Sequence, residues 1–420
     1  MKAPTVLWRG GLALALVAAT GCMSQAEKLS LDALNALDQC DVRTAHNDFV
    51  AAHQSDPNYP PAALGFALTD IAMLPEAPEA TDLLSKLGFT SPIDMQALVY
   101  GTNGVLARFS RHDSCQSITN FFNATVPYAP LNNSNISGWS VLQAGLTGGS
   151  FRADVVALMG HFQAEADALE TAANKLPASN PITFKGSACG QSAPIVLQRP
   201  EMFAAAALLE YAHAALEIGL SYDWGFGIAG INTQNNAQVT ALATDLNAHL
   251  GHLTDASGMD RGRAALNHAL TLTLNALDAA TAARTSVANE LFDWPSFPVQ
   301  RIADLRRMVV SAQGAMTGPA GMADVTPTLV VNANQLLSSP PDAAKLSGPL
   351  FTTQADTAGN LTLKVDQTMV DQAIGADTTP DLWTSNVPTF QWGPNAAWQG
   401  LSPDPITAPV RALQSANACQ

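Results

Sequence analysis

Glu210, His213 and Glu217 are spaced i, i+3, i+7 within RPEMFAAAALLEYAHAALEIGL, Arg199–Leu220. That spacing puts all three on one stripe of a helix. A carboxylate beside an imidazole raises its pKa, so the trio is equipped for acid–base work. In apolar surroundings it is equally equipped to hydrogen-bond the one polar group of a lipid-like ligand. The same pattern is also what the wet side of a helix looks like.

Asp245, His249 and His252 form a second set at i, i+4, i+7, with Asp255 just beyond. Imidazoles and carboxylates so placed can begin a metal site. There is no HExxH pattern, however, and a solvated helix face accounts for them. Gly225-Phe226-Gly227-Ile228-Ala229-Gly230 matches G-x-G-x-x-G. A dinucleotide site needs a strand before that loop and a helix opening on it. Here a helix precedes it and the polar loop Asn232–Asn236 follows, so the glycines read as a turn. His46 and His53, seven apart, read as surface residues. The chain shows no serine nucleophile elbow, phosphate loop or calcium loop, and no carboxylate pair of glycosidase spacing. The expectation is a binding protein rather than an enzyme, with no catalytic residue, metal or cofactor assigned.

From Met202 to Leu220 the Glu-His-Glu stripe holds the only strongly polar side chains, so the rest of the helix must be covered. Other helices or a bound apolar molecule can do this. The pattern predicts helical neighbours. Upstream are Leu29–Leu37, Val42–His53, Pro60–Leu74, Thr81–Gly88, Ile93–Phe109 and Phe151–Leu176, the last stopped by Pro177. Downstream are Val239–Leu253, Asp260–Phe292 with Asp260 as its cap, Val299–Ala315 and Thr326–Leu337. Ile182–Phe184 and Ile195–Leu197 read as short strands or extended chain. Leu350–Val365, turning at Ala358-Gly359-Asn360, reads as a β-hairpin. Asn120–Ser137 reads as a long loop whose Phe121, Phe122 and Tyr128 either close over a ligand or plug the nearest core. Beyond Asp377, Trp383, Trp392 and Trp398 lie in a Pro-rich stretch expected to lie extended over the bundle.

Charged residues are 13% of the 420 and apolar ones 47%, which implies a large buried fraction. The net charge of −15 argues against a nucleic-acid partner, because phosphate binding needs Lys and Arg. Lys2 and Arg9, the apolar run Gly11–Ala19 and then Ala19-Thr20-Gly21-Cys22 resemble a bacterial lipoprotein signal peptide. The resemblance implies that Cys22 becomes the lipid-bearing first residue. With Met rather than Asp at position 23, it implies anchoring at the periplasmic face of the outer membrane. Cys40, Cys115, Cys189 and Cys419 then remain, an even number in an oxidising compartment, and read as structural disulfides with three pairings open.

Ala45, Phe49, Ala52 and Pro57 resemble the second-helix half of a tetratricopeptide repeat, and Leu64-Gly65 resembles the opening of the next. Together with the lipoprotein leader, this is similar to tetratricopeptide lipoproteins associated with TRAP-type transporters. A lipid-anchored apolar helical bundle also resembles the outer-membrane component of bacterial sterol transport. The expected fold is all-α: antiparallel helical hairpins in a bundle, with a small β-hairpin and an extended tail. The expected units are residues 1–22 as leader, 23–110 as hairpins, 111–340 as long-helix bundle and 341–420 as hairpin and tail. The expected function is binding of an apolar, lipid-like ligand, such as a sterol, for transport across the envelope with a periplasmic partner. Glu210, His213 and Glu217 would meet its polar group. The alternative is a scaffold whose stacked hairpins hold a partner protein.

Overall fold

Side-chain caps and prolines start most of the helices. In the computed structural model Ser24 caps α1 (Gln25–Asp38) and Asp41 caps α2 (Val42–Ser55), each accepting from a backbone N–H in the first turn. α3 (Pro60–Met73) begins on prolines, whose missing N–H costs nothing there. α4 (Pro78–Lys86) follows, then α5 (Arg152–Lys175). β1 (Ile182–Phe184) and β2 (Ile195–Leu197) pair antiparallel and lead into α6 (Arg199–Leu220). Next come α7 (Asn236–His249), α8 (Ala256–Ala282) and α9 (Val299–Ala315). β3 (Ala320–Gly321) pairs with β4 (Val330–Val331), and α10 (Ala333–Ser338) follows. β5 (Phe351–Ala355) and β6 (Leu361–Val365) form a hairpin, joined on its β6 side by β7 (Gln391–Trp392). The structure describes residues 23–39, 41–86, 147–177, 181–184, 195–227, 235–283, 294, 298–321, 330–366, 368–369, 372 and 391–392. The fold is all-α with small antiparallel sheets.

α6 is long and apolar enough to cross a membrane by length and composition, a test that a core helix passes equally. Here it lies between α5 and α8, antiparallel to both. Arg152 at the start of α5 donates to Leu220 O at the end of α6. Arg261 near the start of α8 meets Glu217, while Thr273 further along meets Tyr211. The approach of α8 is close: a β-carbon on Gly262 would sit 2.6 Å from Ile218 Cγ1 and 3.2 Å from Ala214 O. One core runs through α3, α5, α6 and α8, with Leu64, Leu169, Met202, Phe203 and Leu272 at its centre. It therefore spans both sides of residue 110.

Phe49 is fully buried, and so are Ala45 and Ala52 on the same face of α2. The Phe49 ring lies flat on the backbone of α3, where a β-carbon on Gly65 would be 2.1 Å from Cε1. Small residues thus set how closely α2 and α3 approach. α7 packs Leu242 and Leu246 on Phe351 and Leu363 of the hairpin. Asn247 of α7 bonds both backbone groups of Phe351, at 2.7 and 2.8 Å, which occupies the free edge of β5.

Several expected boundaries move. α8 is capped by Asp255, which accepts from Gly258 N at 3.1 Å; Asp260 lies inside the helix and pairs with Arg263. α7 ends at His249 rather than Leu253, because Leu250 is extended and Gly251 takes φ 85°. The expected helix Thr326–Leu337 is the strand Val330–Val331 followed by α10. Ile93–Phe109, Asn120–Ser137 and the stretches holding Trp383 and Trp398 lie outside the described residues.

Gly65→Ala gains about 1 kcal/mol of helix propensity yet is expected to destabilise the chain by about 1–3 kcal/mol, since the Phe49 ring must leave its place. Chemical denaturation of the full chain measures this. Combining it with Phe49→Leu recovers part of the loss.

Candidate functional site

The Glu210–His213–Glu217 stripe is inside the protein: the three residues are 3%, 9% and 6% exposed. His213 Nδ1 lies 3.2 Å from Glu210 Oε2, and its Nε2 lies 3.8 Å from Glu217 Oε1. Arg261 of α8 reaches both oxygens of Glu217 at 2.9 Å and also bonds Asp255 at 3.1 Å. On the other side His268 Nδ1 is 3.5 Å from Glu210 Oε1, and His268 Nε2 is 2.9 Å from Glu170 of α5. Acids and bases therefore alternate along a seam from Glu170 through His268, Glu210, His213 and Glu217 to Arg261 and Asp255. A buried charge persists only when paired, and each of these has its pair in the protein. The hydrogen bond to Glu210 raises the His213 pKa, with burial opposing and Glu217 adding to it. What this seam does chemically is hold α5, α6 and α8 in register.

The second set faces the glycine loop. His249 Nδ1 lies 2.9 Å from Asp223, and Asp245 accepts from Gly227 N at 2.6 Å. Asp223 accepts from Gly225 N at 2.7 Å. The acidic groups occupy the backbone donors of Gly225 and Gly227; Ile228, Ala229 and Gly230 lie outside the described residues. His252 bonds the carbonyl of Asn247, and Asp255 is held by Arg261, so neither joins that set. His46 and His53 are half-buried between α2 and α3, not at the surface. His53 stacks on Phe66 with centroids 4.9 Å apart, and His46 Nδ1 lies 3.4 Å from Thr69 Oγ1. Burial lowers the pKa of both. Phe121, Phe122, Tyr128, Cys22, Cys40, Cys115, Cys189 and Cys419 lie outside the described residues.

A cleft of about 360 Å³ opens at the N-terminal end of α6, between the C-terminal ends of α5 and α8. It is lined by the apolar Pro200, Phe203, Ala279, Ala282 and Ala283 and by the polar Asn174, Gln198, Arg199, Asn275 and Asp278. Gln198 is 7% exposed. Its Nε2 and the Nε of Arg199 are buried and meet no acceptor among the described residues. Each such orphaned donor costs about 1–3 kcal/mol. The Arg199 guanidinium stands 5.9 Å from the Phe203 ring centroid, so its charge sits beside the apolar lining. Glu201 instead looks away, accepting from Gln198 N at 3.1 Å and from Trp294 Nε1 at 2.7 Å. The arrangement can take an acceptor group at the polar residues and a hydrocarbon against the apolar ones.

The cleft was not visible in the polar pattern of α6. One signal did exist: an arginine opens the helix, where the backbone dipole disfavours a positive charge. A local rule broken at a helix start is what a binding group looks like in sequence.

No protein-family model matches the chain, and no curated protein or solved structure shows significant similarity to it.

Arg261→Met leaves Glu217 buried without its fork and is expected to destabilise by about 2 kcal/mol, read from denaturant midpoints of the full chain. The seam also predicts a pH slope. His213 has a folded pKa above the unfolded 6.5, so its stabilisation is full below pH 6.5 and is lost as pH rises through the folded value. Thermal melts across that range show the loss, and His213→Gln flattens it.

Proposed function

We propose that the chain is an envelope lipoprotein, anchored through Cys22 at the outer membrane, that binds a lipid-like molecule in the cleft at the head of α6. One observation carries this reading: buried donors of Gln198 and Arg199 that meet no acceptor among the described residues line the same cleft as Phe203 and three alanines. Ligand pockets combine a mostly apolar lining with a few placed polar groups, and about 360 Å³ falls at the small end of their range. The polar end of the ligand belongs at Arg199 rather than at Glu210, His213 and Glu217, whose charges are met by Arg261 and His268. The N-terminal end of α6 favours an acceptor or anion there. The leader would keep the cleft close to membrane lipid while the body stays in the periplasm.

Native mass spectrometry of the full chain, purified in mild detergent from its own envelope, tests the reading. The expected spectrum carries an excess of a few hundred daltons that is lost on organic extraction. Arg199→Ala keeps the circular dichroism of the parent and weakens rebinding of the extracted lipid roughly tenfold to hundredfold, the worth of a charge-assisted hydrogen bond. A mass that stays bare after incubation with envelope lipid extract overturns it. A second protein bound in place of lipid does the same, and favours the hairpins of α1–α4 as a tetratricopeptide-like scaffold.

A further inference from the structure

α5 carries His161 and Glu165 four residues apart, on one face of the helix. Asp70 of α3 stands opposite them. One ligating atom from each of the three lies within 4.8 Å of the other two. Glu165 is fully buried, and neither of its carboxylate oxygens meets a donor among the described residues. Asp70 is 9% exposed, so two carboxyl groups face each other away from water. Two buried carboxylates cannot both be ionised without a cation between or beside them.

The imidazole is set as metal-bound histidines are. His161 Nε2 lies 2.6 Å from Glu79 Oε1 of α4, and its Nδ1 lies 2.7 Å from Asp70 Oδ2. The Glu79 carboxylate on the far nitrogen fixes the ring, while the near nitrogen, Nδ1, is engaged by Asp70 and would exchange that contact for a metal ion held between the two. His46 Nε2 of α2 is 3.8 Å from Asp70 Oδ1. Four helices converge here, and α4 is tied to α5 by Lys86, 2.6 Å from Asp154. A cleft of about 300 Å³ with His46, Asp70, His161 and Arg43 on its walls opens onto the cluster.

We propose that Asp70, His161 and Glu165 are the ligands of a divalent transition-metal ion of the zinc class, with Glu79 orienting His161 and the cleft giving access to the remaining coordination position. One imidazole and two carboxylates suit such an ion, and their two negative charges neutralise it in a buried place. Three protein ligands leave a position for water or for an anionic group entering from the cleft. The competing occupant is a proton. Burial, and then the neighbouring Asp70, push Glu165 up to about 9, which describes the same pair of carboxyls without metal. The site is separate from the lipid cleft and does not rest on it.

The test is zinc titration of the full chain in detergent, first stripped with chelator, in competition with a chromophoric chelator. One zinc per chain is expected, together with a raised melting temperature. Glu165→Gln, which keeps the side chain's size, and His161→Gln each weaken binding at least a hundredfold. Glu79→Gln weakens it by about 10- to 100-fold, as loss of an orienting partner does. His252→Gln, outside the cluster, leaves it unchanged. Absence of stoichiometric zinc, with the infrared band of a protonated carboxyl persisting in excess metal, assigns a shared proton and overturns the proposal. Zinc affinity unaltered in both Glu165→Gln and His161→Gln overturns it as well.

Discussion

Everything in this fold depends on burying α6 with its charges on. The helix is apolar over most of its circumference, so it has to lie between other helices. Glu210, His213 and Glu217 then leave water with it. Isolated, each would cost several kcal/mol. The fork of Arg261 onto Glu217 and the approach of His268 to Glu210 remove that cost. Both partners come from α8, and His268 in turn meets Glu170 of α5, so the seam ties all three helices together. An apolar helix alone could slide or rotate against its neighbours. A polar seam cannot shift by one residue without leaving a charge unmatched.

Close packing does the rest. The interior is rich in alanine, and few large side chains are fully buried: Phe49, Leu64, Leu169, Met202 and Leu272 among them. Small residues let helix backbones approach, which gains dispersion contacts and shortens the distance across which polar groups must meet. Gly262 and Gly65 each mark a close approach, of α8 to α6 and of α2 to α3. The hairpin is attached by Asn247 and Asn236, whose side chains complete the hydrogen bonds of strand backbone.

Against this background of paired charges, and besides the buried Ser30 Oγ and His53 Nδ1, two places are incomplete among the described residues. At the head of α6 the missing partners are acceptors, for Gln198 and Arg199. Between α3 and α5 the missing partner is a donor or a cation, for Glu165. The two gaps are of opposite sign and lie on different helix pairs. That is why two different ligands are proposed rather than one.

The periodicity of apolar residues was enough to place most helices, because burial of one face repeats every turn whatever that face meets. Val299–Ala315, the β-hairpin and the short strands at Ile182 and Ile195 were legible for that reason, or from local turn chemistry. The buried face Ala45, Phe49 and Ala52 was legible too, since small–large spacing is a local property of one helix. Boundaries were less so: Asp255 and Asp260 are equally good caps in sequence, and only the chain path through Ser221 and Thr254 decides between them. The stripe Glu210, His213 and Glu217 could be read, but not its role. Whether a polar face meets water, ligand or protein depends on what the remote residues Arg261, His268 and Glu170 bring to it. His161 and Glu165 show the converse. Their i, i+4 spacing was in plain view on a helix read only for its apolar positions. Their meaning required Asp70 and Glu79, some 90 and 80 residues earlier in the chain. Helix periodicity is a short-range property that sequence carries by itself. Coordination and charge pairing act across a few ångströms of space between distant segments, and only the tertiary structure brings those segments together.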